Sequence, residues 1–337
     1  MRALSVSLSL LAMLAGSALV RSEPIPDYAL KYAPYTHLYS GESWWPSDIS
    51  THLQNTIPEA NSTVLGPAGS ATVKNLDTYP SNDVYLTSKD NVFDNPAWLL
   101  STDNKPDSNG YSKAPATLIA VDKGNGTVDV FYFYFYSYNH GNEYEEPPSP
   151  SIFLNKTYGN HVGDWEHTMV RYFNGTPAYI YLSAHDGGRA YNYSALEQTD
   201  GRATTYVAVG THANYATAGQ QDYDLPFGLL HDTTDKGPFW DVTQNYRGFW
   251  FDNSTQTFSS AGGKSTGGEE QASEGADWLK WLGYWGDEQY PDTDPRQYCI
   301  LDIECAFVSG PTGPIAKNLG RTAVCQKEDD CKIEDSL

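Results

Sequence analysis

Alternating aromatic positions mark the clearest strand of the chain. In VDVFYFYFYSYN, residues 128–139, Phe131, Phe133 and Phe135 alternate with tyrosines. Successive side chains of a strand point to opposite faces of its sheet, so the phenylalanines share one face and the tyrosines the other. We therefore predict a central strand whose phenylalanine side lies in the core.

Further segments have the β-branched and aromatic residues typical of strands and are bounded by turn residues. They are residues 116–122, 163–173, 177–184, 189–193, 204–211 and 246–253. Strands that follow one another without long intervening helices predict an all-β fold, a mostly antiparallel β-sandwich with long loops and a few short helices. The Gly/Ser-rich residues 259–275 predict a loop.

Two short helices are predicted from apolar residues at helical spacing. In the first, Ser47 is the candidate N-cap, and Ile49 and Leu53 share a face. The second lies in residues 275–285, where the apolar positions are Trp278, Trp281, Leu282 and Trp285.

The first 22 residues predict a secretory signal peptide. Arg2 precedes an uncharged, mostly apolar run, and small residues follow near Ala18 and Ser22. No later segment approaches the roughly 18 continuous apolar residues of a membrane span, so we expect no transmembrane anchor. Residues 23–337 are predicted to form a single β-sandwich domain with a cysteine-containing C-terminal tail, residues 299–331. The mature protein is expected in the secretory pathway, in a lumen or outside the cell.

Sequons and cysteines fit this compartment. Asn-x-Ser/Thr sequences occur at Asn61, Asn125, Asn155, Asn174, Asn192 and Asn253, which predict glycans on surface loops. The four cysteines are Cys299, Cys305, Cys325 and Cys331. In an oxidising compartment they predict two disulfides, and the sequence leaves three pairings open.

The net charge of the chain limits the classes of molecule that it can bind. The chain has 21 Lys and Arg against 42 Asp and Glu, a net charge of -21. Such a chain repels phosphate backbones, so nucleic acid is not expected as a partner. The charge could attract cations, but it equally serves to keep a glycoprotein soluble. The oligomeric state is left open.

The densest group of polar residues is NHVGDWEHTMV, residues 160–170. In a strand, Asp164 and Glu166 lie on one face, and Trp165 and His167 on the other. The Asn174-Gly175 pair that follows favours a two-residue hairpin turn with Phe173 opposite Thr176. Counted back from that turn, Ser183 lies opposite Glu166 and His185 opposite Asp164.

If the strands continue as a meander, His212 arrives at the same rim. Asp164, Glu166, His185 and His212 are therefore predicted to converge. The other candidate binding residues are His161, His167, Asp186, Asn214 and Tyr215.

Three interpretations of this cluster remain open. Asp164, Glu166, His185 and His212 could hold one divalent cation, zinc, manganese or calcium. Alternatively, Asp164 could orient a catalytic histidine, His185 or His212, in the hydrolysis of an ester or phosphodiester. The third interpretation is a hydrogen-bonded network that only fixes loops. The chain has no H-E-x-x-H, and its G-x-S-x-G match, residues 263–267, lies in the predicted Gly/Ser-rich loop and not at the strand-to-helix elbow of such enzymes.

Several long motifs resemble one family. They are HLYSGESWWPSDISTHLQNTIP at 37–58, GNHVGDWEHTMVRYFNGTPAYIYLSAHDGGRAYNY at 159–193, YVAVGTHANYATAG at 206–219, HDTTDKGPFWDV at 231–242, YWGDEQYPDTDPRQ at 284–297 and SGPTGPIAKNLGR at 309–321. Together they resemble the fungal vacuolar protein sorting-associated protein 62 family over about residues 32 to 325. The resemblance implies a process, delivery of proteins to the vacuole, and no catalytic residues.

A second resemblance is local. The spacing of His161, Asp164 and Glu166 is similar to the GHRHDWE heptapeptide of secreted necrosis-inducing proteins, with Val162 and Gly163 in place of its Arg-His. It implies a β-sandwich on which acidic residues hold a divalent cation.

The resulting functional prediction is a role in trafficking to the vacuole or in its lumen, through an unknown ligand or cargo. The alternatives are a secreted metal-dependent hydrolase and a cation-dependent protein that binds glycans or lipids. The sequence does not decide whether the protein is an enzyme, and the cofactor it allows is one divalent cation.

Overall fold

The computed structural model describes residues 23–143, 156–222, 231–265, 275–300 and 304–337. The predicted signal peptide, residues 1–22, lies outside the described residues. So do the sequon at Asn155 and residues 266–274 of the predicted loop.

The described residues form three short α-helices and many strands. The helices are α1 (Asp27–Lys31), α2 (Ile49–Gln54) and α3 (Ala97–Leu100). The strands are β1 (Tyr35–His37), β2 (Thr56–Ala60), β3 (Thr63–Val64), β4 (Val84–Ser88), β5 (Ala116–Gly124), β6 (Thr127–Asn139), β7 (Asn142–Glu143), β8 (Thr157–Tyr158), β9 (His161–Phe173), β10 (Thr176–Ala184), β11 (Gly187–Asn192), β12 (Gln198–Thr199), β13 (Arg202–Val207), β14 (Asn214–Tyr215), β15 (Gly219–Asp222), β16 (His231–Thr234), β17 (Phe239–Trp240), β18 (Tyr246–Asp252), β19 (Thr257–Lys264), β20 (Cys299–Ile300), β21 (Glu304–Cys305) and β22 (Ile333–Glu334).

One large sheet organises the fold. Its order is β19-β18-β5-β6-β9-β10-β11-β22, and its pairs are antiparallel except β5 with β18 and β11 with β22. The two long strands β6 and β9 lie at its centre, with Phe135 paired to Trp165 and Tyr136 to Asp164. The predicted all-β class and the central position of residues 128–139 are thereby confirmed.

Both faces of β6 are buried, whereas the sequence analysis placed only its phenylalanine side in the core. The phenylalanine face packs against a tryptophan-rich segment that includes Trp278 and Trp285. The tyrosine face is covered by a second sheet, β12-β13-β1-β17 with β14 beside β13. Tyr134 tolerates this burial because its hydroxyl has a partner, the Thr168 hydroxyl at 2.9 Å.

The meander continuation predicted for residues 204–211 is wrong. Strand β13 leaves the large sheet and pairs in parallel with β1, with Thr36 opposite Thr205. The second sheet crosses over the tyrosine face, so the segment after β13 approaches β9 from the facing layer. His212 therefore reaches Asp164 from across the sandwich.

The first predicted helix is present, but Ser47 does not cap it. Helix α2 begins after Asp48, whose carboxylate accepts the backbone N–H groups of Ser50 at 2.8 Å and Thr51 at 3.1 Å. Ser47 is buried instead, with its hydroxyl 2.6 Å from that of Ser137.

The second predicted helix is only one 3₁₀ turn, Asp277–Lys280. The chain is extended at Trp281, with φ -70° and ψ 127°. Trp278, Trp281 and Trp285 are nevertheless buried, while Leu282 is 45% exposed. Helical spacing was the wrong interpretation, since a turn followed by extended chain brings the same tryptophans to the core.

The predicted loop at 259–275 begins as a strand. Residues 257–264 form β19, which pairs with β18 through Phe258 opposite Phe251. Phe258 belongs to the core, and that burial outweighs the glycines and serines around it.

The C-terminal segment is tied down covalently and by polar contacts. Disulfides join Cys299 to Cys305 and Cys325 to Cys331, which confirms the two predicted bonds and fixes their pairing. Arg171 donates to both carboxylate oxygens of the buried Asp129, each at 2.7 Å, and also to the Thr322 carbonyl at 2.8 Å.

The described sequons lie mostly on the surface. Asn61, Asn125, Asn174 and Asn253 are exposed, whereas Asn192 is half-buried and donates to Asp335. Glycosylation at these sites stays a prediction. Among the described residues, no helix is long and apolar enough to cross a membrane.

Candidate functional site

The hairpin between β9 and β10 confirms the predicted turn but not the register beyond it. Thr176 pairs with Phe173 as expected. The register then shifts by one residue between Pro177 and Tyr179, so Leu182 lies opposite Thr168. Proline has no N–H to donate to the ladder, and strands accommodate it at such bulges. Despite the shift, the Ser183 hydroxyl still donates to Glu166 Oε2.

A glycine directs the chain into the site. Gly163 has φ +69°, in the left-handed region, and an added Cβ would lie 2.2 Å from the Trp285 carbonyl oxygen. Only glycine tolerates both conditions at once. The backbone of Gly163 also accepts the His161 Nδ1 proton at 2.6 Å, and Asp164 follows on the cavity side of β9.

Asp164 is oriented by His212. Its Oδ2 lies 3.0 Å from His212 Nδ1, and His212 Nε2 donates to the Trp44 carbonyl at 3.0 Å. The ring of His212 also stacks on Tyr136, with centroids 3.6 Å apart. Burial alone would lower the pKa of His212, but the hydrogen bond to Asp164 and the charges of Glu42 and Asp164 raise it. The imidazolium form that donates from both nitrogens is thereby favoured.

Glu166 is a buried carboxyl that holds its proton tightly. Burial, assisted by the charge of Asp164, raises the pKa of Glu166 to about 7. The charge of Lys317 and the Ser183 hydrogen bond oppose this shift without cancelling it. Near neutral pH, therefore, one strand face carries a carboxyl that is about half ionised.

His185 is held by a carboxylate that the sequence analysis did not single out. Its Nε2 lies 2.8 Å from Oδ2 of the fully buried Asp232. Asp232 also accepts from Thr211 at 2.6 Å, Tyr215 at 2.6 Å and Asn142 at 2.9 Å. Burial would lower the pKa of His185, but the bond to Asp232 outweighs it and raises that pKa.

These residues surround a cavity of about 330 Å³, which we call the carboxylate cavity. Its ionisable lining comprises Asp164, Glu166, Asp186, Glu304, His161, His185 and Lys317. The side chains come from β9, from the turn between β10 and β11, from β21 and from the C-terminal segment. The volume falls at the lower end of the range for small-ligand sites, about 300–1,000 Å³.

The other predicted site residues lie around the cavity or away from it. His212 is fully buried behind Asp164, and Asn214 lies beside it, with Nδ2 3.4 Å from the His212 carbonyl. Tyr215 reaches Asp232. His167 is on the opposite face of β9, where its ring packs against Phe133, with centroids 5.0 Å apart.

The four predicted metal ligands have hydrogen-bond partners within the protein. Within the described ranges, no three His, Cys, Asp or Glu side chains are grouped so as to hold a metal ion. Both ring nitrogens of His212 are engaged by Asp164 and Trp44, and His185 Nε2 is engaged by Asp232. Of the four predicted ligands, Asp164 and His212 therefore bond to each other, while His185 bonds to Asp232 and Glu166 to Ser183.

Four residues that shape the site were missed in the sequence analysis: Glu42, Asp232, Glu304 and Lys317. Glu42 accepts the backbone N–H groups of Trp44 at 2.9 Å and Gly210 at 2.9 Å. Each is separated from β9 by a long stretch of chain, so local spacing gives no signal. Glu42, Asp232 and Lys317 each lie within one of the family motifs, whereas Glu304 lies in none of them.

Solved structures offer only a distant likeness. One match, titled "NLPPya in complex with mannosamine", has 13% sequence identity and a TM-score of 0.27, and covers 64% of this chain and 74% of that chain. A likeness at this level supports no argument about this protein.

Sequence comparisons are decisive. The chain is 40% identical to "Putative vacuolar protein sorting-associated protein TDA6" of Saccharomyces cerevisiae, over 89% of this chain and 68% of the relative. It is 36% identical to "Vacuolar protein sorting-associated protein 62" of the same yeast, over 90% of this chain and 68% of the relative. The family model described as "Vacuolar protein sorting-associated protein 62" matches residues 18–249. This chain therefore belongs to the vacuolar protein sorting-associated protein 62 family, and its general function is related to vacuolar protein sorting.

Proposed function

We propose that this protein is a secretory-pathway glycoprotein that takes part in delivering proteins to the vacuole, or acts in the vacuolar lumen, by binding a ligand or cargo in the carboxylate cavity. Its family membership supports the process. The two disulfides and the exposed sequons support the compartment.

The single observation that carries the binding role is a pair of buried, half-satisfied carboxylates. Asp164 and Glu166 are 4% and 5% exposed. Each uses one oxygen, toward His212 and Ser183 respectively, and the other makes no hydrogen bond with any described residue. Because both residues line the carboxylate cavity, a ligand that enters it can bind these second oxygens directly.

Asp164→Asn tests this role, because it removes the charge and retains the shape. We expect vacuolar proteins to be missorted into the medium when this variant replaces the native gene, while the purified variant stays folded because the asparagine carbonyl still accepts the His212 Nδ1 proton. The measurements are secretion of vacuolar hydrolases by the fungus and thermal unfolding of the purified protein. Asp77→Asn, at an exposed aspartate, is the matched control.

The contrary result is equally specific. If delivery is unchanged while the variant loses roughly 1 to 3 kcal/mol of stability, the cluster is a structural network and the binding role fails.

Hydrolysis is a second candidate function, and one observation favours it. The pKa of Glu166 is raised to about 7 beside a second carboxylate, and such a pair can divide the roles of general acid and base. The test is a panel of chromogenic glycosides and esters assayed with native protein and with Glu166→Gln. Turnover that disappears in the variant would establish the enzyme, and no turnover in the native protein would dismiss it for that panel.

A further inference from the structure

The carboxylate cavity presents three hydrogen-bond acceptors without partners among the described residues. Two are the second oxygens of Asp164 and, at a pH above its pKa of about 7, of Glu166. The third is His161 Nε2. Because His161 Nδ1 donates to the Gly163 carbonyl and burial lowers the pKa of His161, the neutral ring leaves Nε2 as an acceptor.

Three acceptors match the three N–H groups of an ammonium ion. Metal–ligand distances are about 2.0–2.6 Å, whereas a charged N–H group reaches an acceptor at about 2.7–2.9 Å. An ammonium ion also complements the negative charges of Asp164 and Glu166 on the cavity wall. A cavity of about 330 Å³ also has room for the alkyl chain that carries such a group.

A second cavity adjoins the first. It has a volume of about 260 Å³ and shares Asn142 with the carboxylate cavity. Among its lining residues, Trp44 and His140 stack with ring centroids 4.2 Å apart and an interplanar angle of 11°. We call this second cavity the Trp44 groove. Burial, assisted by the charge of His212, lowers the pKa of His140 to about 4, so the stacked pair is uncharged at pH 8, where Glu166 is ionised.

His212 contacts a lining residue of each cavity. His212 holds Asp164 through Nδ1 and the Trp44 backbone through Nε2. Glu42 fixes the same loop from the other side, because it accepts the Trp44 N–H at 2.9 Å. The carboxylate of one cavity and the aromatic ring of the other are thus held at a fixed spacing, as a single ligand that enters both would require.

We propose that the two cavities form one composite site for a peptide segment in which a lysine or arginine side chain neighbours an aromatic side chain. The basic group enters the carboxylate cavity, and the aromatic ring packs against Trp44. This inference rests on the binding role proposed above and adds the chemical class of the ligand.

Lys317 allows a further test of the proposal, because it is at the same cavity that would bind the basic group of the ligand. It lines the carboxylate cavity yet makes no ion pair with a described residue. Its charge therefore opposes a cationic ligand. Lys317→Met is expected to strengthen binding of a cationic peptide severalfold, whereas a ligand bound through its own anion would be weakened.

The first experiment uses the native protein and four terminally blocked dipeptides, measured by calorimetry at pH 8. The probes are acetyl-Lys-Phe-amide, acetyl-Lys-Ala-amide, acetyl-norleucine-Phe-amide and acetyl-norleucine-Ala-amide. Norleucine removes the ammonium and should weaken binding by about tenfold or more. Alanine removes the ring and should weaken it by roughly two- to tenfold. Equal affinities across the four peptides would overturn the proposal, and this comparison requires no variant to fold.

Variants then assign each preference to its cavity. Trp44→Leu should abolish the preference for Phe over Ala and retain the preference for Lys over norleucine. Glu166→Gln should have the converse effect, weakening the preference for Lys over norleucine and retaining the preference for Phe over Ala. Trp250→Leu and Glu288→Gln are matched controls, at residues that line neither cavity. If the Trp44→Leu protein folds and still prefers Phe to Ala, the aromatic side chain of the ligand does not bind in the Trp44 groove.

Two results distinguish an error in the ligand class from an error in the proposed function. If the native protein does not discriminate among the peptides, yet Asp164→Asn still missorts vacuolar proteins, the ligand class is wrong and the binding role stands. If the peptides bind as expected but Asp164→Asn leaves delivery intact, the composite site exists but does not act in the delivery of proteins to the vacuole.

Discussion

Glu166 alone is expected to make this protein about 3 kcal/mol less stable at pH 8 than at pH 4, and Glu166→Gln should abolish that difference. The pKa of Glu166 is about 7 in the folded chain against a model value of 4.5. A carboxyl with a raised folded-state pKa stabilises the fold fully below its unfolded pKa, and this contribution is lost as the pH rises through the folded pKa. At about 1.4 kcal/mol per pKa unit, the window from 4.5 to 7 accounts for the loss.

The measurement is urea unfolding of native protein and variant across this pH range, compared as a difference. Only the difference isolates Glu166, because other groups titrate in the opposite sense. Burial lowers the pKa of His52 and of His140 to about 4, so these two histidines destabilise the fold as it is acidified. The exposed Glu288→Gln is the control. A flat difference between native protein and Glu166→Gln would show that Glu166 is ionised normally in the folded state.

Asp232→Ala should cost about 3 to 5 kcal/mol of unfolding free energy, the largest effect we expect from one residue at the site. Asp232 is fully buried and accepts hydrogen bonds from His185, Thr211, Tyr215 and Asn142. Alanine would leave these donors facing one another with no acceptor, and each unsatisfied buried group costs about 1 to 3 kcal/mol before the structure relaxes.

Chemical unfolding at pH 7 measures this loss, with the exposed Asp77→Ala as control. Asp232→Asn should lie between the native protein and Asp232→Ala, because its carbonyl still accepts some of the donors and only the charge is lost. An effect of Asp232→Ala below about 1 kcal/mol would mean that water replaces the carboxylate readily, and that Asp232 is not the structural anchor of this rim.

The predictable part of the fold was the part with local periodicity. The alternation around Phe131, Phe133 and Phe135 located β6, and Asn174-Gly175 located the β9–β10 turn. The register beyond that turn depended on Pro177, whose bulge no pattern of alternation reveals. The tryptophans after Gly275 show a different limit, because burial can place residues spaced as in a helix on an extended chain.

The candidate site was predictable only where it lay within one strand. Asp164 and Glu166 were placed together because residues two apart share a strand face. His212 was expected at the same rim, and the structure brings it to Asp164 by a different route, from the second sheet. Asp232, Glu304 and Lys317 reach the cavity through long-range packing of separate segments, and spacing along the chain contains no information about that packing.

Glu304 and Lys317 lie well beyond residue 249, where the family match ends. That boundary falls inside β18, and the segment after it supplies both a wall of the carboxylate cavity and the buried Trp278, Trp281 and Trp285. A recombinant fragment trimmed to the matched region would therefore expose an aromatic core face and lose part of its binding surface. Library screens or crystallisation trials based on this family should keep the chain through the second disulfide, because the part that the family model matches is shorter than the part that folds together.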